Sequence, residues 1–278
     1  MVIIMNSTKF VILGGVGKIS KYHFEAIEKV GGEVVAVIDP KVTTYFDKKW
    51  YKSIEDYEIA NPPLPEFFVI CSPNNFHAEQ TAWALRYGDV ICEKPIALSI
   101  RELDWLMGEE NLNHTKVYPI MQMRYHPRLA ELHKQFKEIP PYEIDLDYVL
   151  PRRDDYTNSW QGDDRKSGGI IFNIGIHMLD FLIWTLGYPT DILVDFSHYM
   201  RVYGILHFYK TRVNFNFSTD PNSIGRRVLE FDNHPINLTS TLPLHTLAYQ
   251  DIMNGHPRTL QDIKPTIQLC EEIRNYKS

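Results

Sequence analysis

The chain reads as an α/β protein: a doubly wound parallel sheet first, then an α+β domain whose sheet is mainly antiparallel. Three observations predict this. Apolar runs alternate with helical segments up to about residue 119, a segment of strict period two follows residue 140, and 278 residues give two domains of ordinary size a core each. The expected division is 1–119 and 120–278.

Lys9–Leu13 is an apolar strand. After a glycine turn, Lys18–Val30 carries Ile19, His23, Ile27 and Val30 at helical spacing and is closed by Gly31-Gly32. Glu33–Ile38 is a valine-rich second strand ending at Asp39-Pro40. Phe67–Cys71 and Val90–Cys92 are apolar without alternation, as parallel strands covered on both faces are. Between them Ala78–Tyr87 has helical propensity and stops at Gly88, while Ser99–Glu102 has the form of a capping box opening a helix to Met107.

Past Val117 the period changes. Tyr142, Ile144, Leu146, Tyr148 and Leu150 alternate with Glu143, Asp145 and Asp147, the signature of a strand with one buried face. Ile192–Phe196, Val202–Tyr209, Arg212–Phe217 and Arg227–Phe231 are short strand-like runs between turns such as Asp220-Pro221-Asn222. Two helices follow: His245–Asn254, ended by Gly255, and one opening near Asp262-Ile263-Lys264-Pro265, with the proline in its first turn. The segment Asp191–Asp220 is compact for a full substrate sheet, which predicts that strands or loops of longer relatives are missing.

With 35 acidic against 29 basic residues the net charge is -6, which argues against a sequence-independent nucleic-acid binder. Cys71, Cys92 and Cys270 are odd in number and lack metal-ligand spacing, so no disulfide and no metal site is expected. The apolar start Met1–Asn6 is too short for a signal peptide. The most apolar stretch, Gly168–Leu186, is interrupted by Asn173, His177 and Asp180, polar groups costly in lipid. It predicts a buried helix carrying a site, no membrane span and a cytoplasmic protein.

Gly15-Val16-Gly17-Lys18-Ile19-Ser20 stands between a strand and a helix, where glycines let the backbone approach a pyrophosphate that then meets the helix N-terminal amides. Asp39 ends the second strand, placed to accept from both ribose hydroxyls. Loop and acid together predict a dinucleotide-binding Rossmann domain contacted through Gly15, Gly17, Lys18, Ile19 and Asp39. The carboxylate repels a ribose phosphate, which selects NAD over NADP; Lys41 nearby leaves NADP open.

Two further segments end parallel strands, where open α/β sheets place ligands: Cys71-Ser72-Pro73-Asn74-Asn75-Phe76-His77 and Glu93-Lys94-Pro95. With the loop and Asp39 they resemble the glucose-fructose oxidoreductase/inositol dehydrogenase/MocA (Gfo/Idh/MocA) family. The resemblance covers nearly the whole chain. It implies a catalytic lysine at Lys94, a catalytic histidine at His177, and cofactor contacts from Ser72, Asn74, His77, Glu93, Lys94 and Gln122. Ser159-Trp160-Gln161-Gly162, Lys166-Ser167-Gly168-Gly169, Asn173-Ile174-Gly175-Ile176-His177, Leu244–Tyr249 and Asp262–Ile267 further resemble the WlbA/WbpB-like group. That likeness implies oxidation of the C3 hydroxyl of a UDP-N-acetylglucosamine-type sugar, typically the glucuronic acid form, in surface polysaccharide biosynthesis. Many members of the wider family carry aspartate four residues before the histidine; here Asn173 stands there, able to orient the imidazole but not to charge it.

Oxidising a secondary alcohol needs a base for the hydroxyl proton and a hydride acceptor at the same carbon. His177 is read as the base and Lys94 as the cation that stabilises alkoxide charge, with the reverse assignment open. A UDP-sugar's diphosphate calls for cations: Arg124, Arg152, Arg153, Arg165 and Lys166 are the candidates, and Arg124 and Trp160, with Asn173 and His177, are taken as the substrate-binding set. His126 is either pocket-lining or a helix start. A dehydrogenase of a free polyol or hexose and a non-catalytic NAD-binding sensor or assembly subunit are the alternatives. The open sheet face predicts a homodimer or homotetramer.

Overall fold

The computed structural model describes residues 7–41 and 48–276; the segment Met1–Asn6 lies outside them. In chain order the elements are β1 (Lys9–Leu13), α1 (Ser20–Lys29), β2 (Glu33–Ile38), β3 (Lys49–Tyr51), α2 (Ile54–Ala60), β4 (Phe67–Ile70), α3 (His77–Ala84), β5 (Asp89–Cys92), α4 (Ile100–Asn113) and β6 (Val117–Pro119). Then come α5 (Pro127–Glu138), β7 (Glu143–Val149), the short α6 (Asp154–Thr157) and α7 (Asp164–Ser167), and α8 (Ile176–Leu186). The chain continues with β8 (Asp191–His198), β9 (Arg201–His207), β10 (Arg212–Ser218), β11 (Arg226–Phe231), β12 (His234–Asn237), α9 (Leu244–Met253) and α10 (Leu260–Arg274).

Two compact units result. The first comprises Met1–Ile96, Arg101–Ile120 and Pro243–Gln261; the second comprises Ala97–Ile100, Met121–Leu242 and Asp262–Ser278. These units differ from a single division at 119/120 in that Ala97–Ile100 falls in the second and Pro243–Gln261 in the first. The late segment with α9 returns to the first unit, because Tyr249 and Ala248 bury an apolar face against α1, a long-range packing that a linear reading does not contain.

The first unit holds a six-stranded sheet in the order β3-β2-β1-β4-β5-β6, parallel throughout. Phe10 to Leu13, Phe68 to Ile70 and Val90 to Cys92 are each at most 1% exposed, so the unalternating apolar runs are strands covered on both faces. Strand order reverses between β1 and β4, which places a crevice at the carboxyl ends of β1, β4 and β5.

The second unit holds a six-stranded sheet in the order β12-β11-β7-β10-β9-β8, antiparallel except for β7 with β10. Along β7 the alternation is as read: Ile144, Leu146 and Tyr148 are buried, whereas Glu143 and Asp145 are exposed. The apolar stretch is a π-turn, Ile171–Gly175, running into α8. By length and composition Asp164–Leu186 could cross a membrane, but 83% of its most apolar window is buried inside the fold, which makes it a core helix.

Most expected elements appear with ends shifted by a few residues. The short β3, β6 and β12 carry too few residues for a periodic signal. Helix α5 lies outside the expected elements, although Leu129, Leu132 and Phe136 form its buried stripe. Pro265 sits as the sixth residue of α10 and not in its first turn, so the carbonyl of Gln261 goes without its usual amide donor.

Candidate active site

The phosphate loop of the first unit is built on positions that exclude side chains. Gly14 has φ +76°, and a Cβ there would lie 2.6 Å from the Ser72 backbone nitrogen; one at Gly15 would lie 2.5 Å from Val37 Cγ1. The Ser20 hydroxyl, buried at the third position of the fingerprint, lies 2.7 Å from the carbonyls of both Gly15 and Gly17 and closes the turn. Gly17 and Lys18 are exposed, and α1 opens at Ile19 with no side-chain cap and no acidic residue in its first turn. Its N-terminal end is thus left for an anion. Asp39 faces the loop: Oδ2 accepts from Val16 N at 3.0 Å and Oδ1 from Lys41 N at 2.8 Å.

The Glu93-Lys94-Pro95 turn follows β5 and is anchored from two sides. Glu93 Oε1 accepts from His23 Nε2 at 3.0 Å and from His245 Nε2 at 2.8 Å, and Oε2 accepts from the Lys94 backbone N–H at 3.1 Å. With His23 Nε2 donating, His23 Nδ1 accepts from the Tyr249 hydroxyl at 2.8 Å. Burial disfavours the Glu93 carboxylate, yet the bonds from the two imidazoles outweigh it and hold the acid well below its ordinary range. Burial also pushes His23 below its usual value, against the pull of Glu93. One buried anion is therefore held by two imidazoles and a backbone amide. On the other side, the His77 ring lies between the carbonyls of Pro95 and Ser72, 2.7 Å from each, and as a neutral imidazole donates to one of them. Desolvation outweighs those two acceptors and lowers its pKa. Lys94 itself is half-buried.

In the second unit, Asn173 lies in the π-turn and donates to the Tyr156 hydroxyl at 2.5 Å. His177 is buried in the first turn of α8. π-Turns inserted in helices recur at functional sites. The turn opens after Gly168 and Gly169, at φ +78° and +72°, conformations that side chains resist. Arg124 Nε and Nη2 donate to the two carboxylate oxygens of Asp180 at 2.6 Å each, and Thr266 donates to Asp180 Oδ1 at 3.0 Å. The guanidinium also lies 5.4 Å from the centre of the Trp184 ring. Burial opposes its charge, but Asp180 raises its pKa above the ordinary value.

Residues 8–119 match the oxidoreductase family with an NAD-binding Rossmann fold, and residues 140–224 match the GFO/IDH/MocA C-terminal domain. The chain belongs to the Gfo/Idh/MocA family. Among solved structures it is similar to the WlbA (WbpB) dehydrogenase from Thermus thermophilus in complex with NAD and UDP-GlcNAcA, at a TM-score of 0.90 and 28% identity, covering 97% of this chain and 95% of that one. Among curated proteins it is 28% identical over 146 residues to D-glucoside 3-dehydrogenase of Escherichia coli, 50% of this chain and 40% of the relative. It is 25% identical over 193 residues to myo-inositol 2-dehydrogenase of Thermotoga maritima, 64% of this chain and 54% of the relative. The chain spans about half the length of these curated relatives.

As a Gfo/Idh/MocA member the chain carries an NAD-binding domain, and its residues fit that group: a cradle closed to side chains, an uncapped helix start and an acid at the end of β2. The structure places the expected site residues as follows. The Glu93 carboxylate and both His77 ring nitrogens are taken up inside the first unit, so these residues position the Lys94 turn. Ser72 donates to Gln80 Oε1 and Asn74 is buried. Arg124 is spent on Asp180, a residue 56 positions away, and is not a free cation for a diphosphate. Arg165 and Lys166 are exposed and paired with Asp163; Arg153 is exposed. Gln122 and Trp160 are half-buried in 3₁₀ turns of the second unit, Gln122 Oε1 being buried without a hydrogen-bond partner among the described residues. His126 is the buried residue before Pro127 at the start of α5. The sequence reading missed His23, Tyr249, Tyr156 and Asp180 as site supports. Asp180, a charge within an apolar helix, was the one with a visible signal.

Proposed function

We propose that the protein is an NAD-dependent dehydrogenase that oxidises the C3 hydroxyl of a UDP-N-acetylglucosamine-type sugar, in the glucuronic acid form, for surface polysaccharide biosynthesis in the cytoplasm. The observation that carries this reading is the likeness, over nearly all of both chains, to a dehydrogenase bound to NAD and UDP-GlcNAcA. Asn173 before His177 and Lys94 after β5 accord with it.

NAD, when bound, supplies the hydride acceptor. His177 accepts the hydroxyl proton, as a neutral imidazole can when an amide rather than a carboxylate stands at position 173. The Lys94 ammonium, on a turn fixed by Glu93 and His77, stabilises the developing alkoxide. The exposed face of the second sheet, with Leu193 and Phe196 exposed, is the surface on which a homodimer or homotetramer would form.

The likeness to D-glucoside 3-dehydrogenase and myo-inositol 2-dehydrogenase favours a second reading, a dehydrogenase of free hexoses or polyols. Following NADH absorbance with UDP-sugars, free hexoses and inositols separates the two. Reduction by UDP-N-acetylglucosaminuronate above the others is expected; reduction by inositol or glucose alone overturns the nucleotide-sugar reading.

A further inference from the structure

A nucleotide sugar carries a diphosphate, and Arg124, the arginine that the sequence offered for it, is bound to Asp180. The second unit contains another cationic place. A cavity of about 390 Å³ opens at the end of the sheet where β7 leaves and β11 enters, lined by Leu150, Pro151, Arg152, Arg226, Arg227 and Asn237 among others. We propose that this cavity binds the diphosphate of the nucleotide-sugar substrate, with Arg152 and Arg227 as its cationic ligands; the proposal rests on the nucleotide-sugar reading above.

The three arginines of the cavity differ in what they already hold. Arg226 lies across from Val149 on the outward face, with Asp147 at 3.4 Å and Glu230 at 3.6 Å. Its charge is neutralised by two carboxylates. Arg227 lies one residue on, so it shares the inward face with its register partner Tyr148 and with buried Leu229. Arg152 leaves β7 with its backbone N–H on the Thr219 carbonyl, and its guanidinium lies 5.6 Å from the centre of the Tyr156 ring. Both guanidiniums act on the Tyr148 phenol, countering the upward push that burial gives it. Among the described residues no carboxylate is in ion-pair contact with Arg152 or Arg227. Two arginines converging on one polar cavity without an anion are the chemistry a diphosphate needs, since each can donate in bidentate fashion to phosphate oxygens.

The cavity is also connected to the candidate sugar site within the same unit. Tyr156 carries Arg152 over its ring and accepts from Asn173 through its hydroxyl. In a nucleotide sugar the diphosphate is joined to the ring at C1. A cationic pocket one side chain away from the residues assigned to the sugar is therefore where that group would fall.

The test is calorimetric titration of UDP, and separately of uridine, into the NAD-loaded protein, with Arg152→Ala, Arg227→Ala, Arg227→Lys and Arg226→Ala compared with the wild type. NADH formation from UDP-N-acetylglucosaminuronate is measured alongside. Loss of a charge-assisted contact predicts that Arg152→Ala and Arg227→Ala each weaken UDP about 10- to 100-fold. Uridine and NAD affinity should be unchanged, Arg227→Lys intermediate and Arg226→Ala within a few fold of wild type. Arg152 is exposed and Arg227 half-exposed, so thermal unfolding should be near that of the wild type. If UDP binds all variants as tightly as the wild type while the nucleotide sugar is still oxidised, the pocket assignment fails and the substrate reading stands. If the wild type neither binds UDP nor oxidises the nucleotide sugar, both fail.

Discussion

Glu93 in the first unit and Asp180 in the second are carboxylates almost out of reach of water, 4% and 1% exposed, yet they are compensated in different ways. Asp180 faces a guanidinium through two parallel bonds, so charge meets charge. Glu93 faces two imidazoles and a backbone amide, so three separate donors share it. The first arrangement is a brace: it locks Arg124 and, through Thr266, α10 to α8. The second fixes the base of the turn that carries Lys94. A buried ion pair is dear to break because its survivor is a bare charge, whereas a carboxylate held by imidazole and amide donors can be exchanged for a neutral acceptor at lower cost.

The largest expected effect separates the two directly. Asp180→Asn strands the Arg124 guanidinium and should cost about 3–5 kcal/mol in denaturant unfolding, with the double variant Arg124→Met/Asp180→Asn recovering much of it. A loss below about 1 kcal/mol would show that Arg124 finds another anion or water. Glu93→Gln keeps an oxygen for the histidines but turns an amide N–H₂ toward the Lys94 N–H, and should cost about 1–3 kcal/mol. Its distinguishing mark is a fall in kcat at unchanged NAD affinity, as expected of a group that positions Lys94; a loss of stability with kcat intact would reduce Glu93 to a structural role.

Acid should expose the difference in a second way. His23 and His77 have folded pKa values lowered from 6.5, so as pH falls through that region the unfolded chain takes up protons that the folded chain refuses, and stability declines. The contribution of Glu93, whose folded pKa is depressed, is complete above the ordinary carboxylate range and is lost as pH falls toward the depressed value. Urea unfolding between about pH 8 and pH 2 should show both phases in the wild type, and in Glu93→Gln the acid one should be shallower; superimposable curves would contradict the assignment of the buried anion. The smallest effect is at Tyr249→Phe, which leaves His23 Nδ1 without its donor and should cost about 1–2 kcal/mol.

What could be read in the sequence was local. The loop at Gly15 and Gly17, Asp39 and the Lys94 turn are each fixed by a few neighbouring residues and by the strand before them, and in the structure each follows its strand. The partners of those residues are not local. Glu93 meets His245 across 152 positions, Arg124 meets Asp180 across 56, and α9 rejoins a domain left more than a hundred residues earlier. Spacing rules carry no information on such pairs, so Arg124 read as a free cation and Glu93 as a cofactor contact. Gly14 was passed over for a simpler reason: only the fold brings the Ser72 backbone against it.

The central claim, hydride removal from C3 of a nucleotide-linked sugar, is tested most directly with UDP-N-acetylglucosaminuronate deuterated at C3. Incubation of the wild type with NAD and this substrate should yield reduced cofactor carrying the deuterium, seen as a mass shift, with slowed single-turnover reduction. Lys94→Ala and His177→Ala should each lower that rate about 10²- to 10⁴-fold at unchanged NAD affinity. Reduced cofactor without deuterium, or no reduction while a free polyol is oxidised, would contradict it.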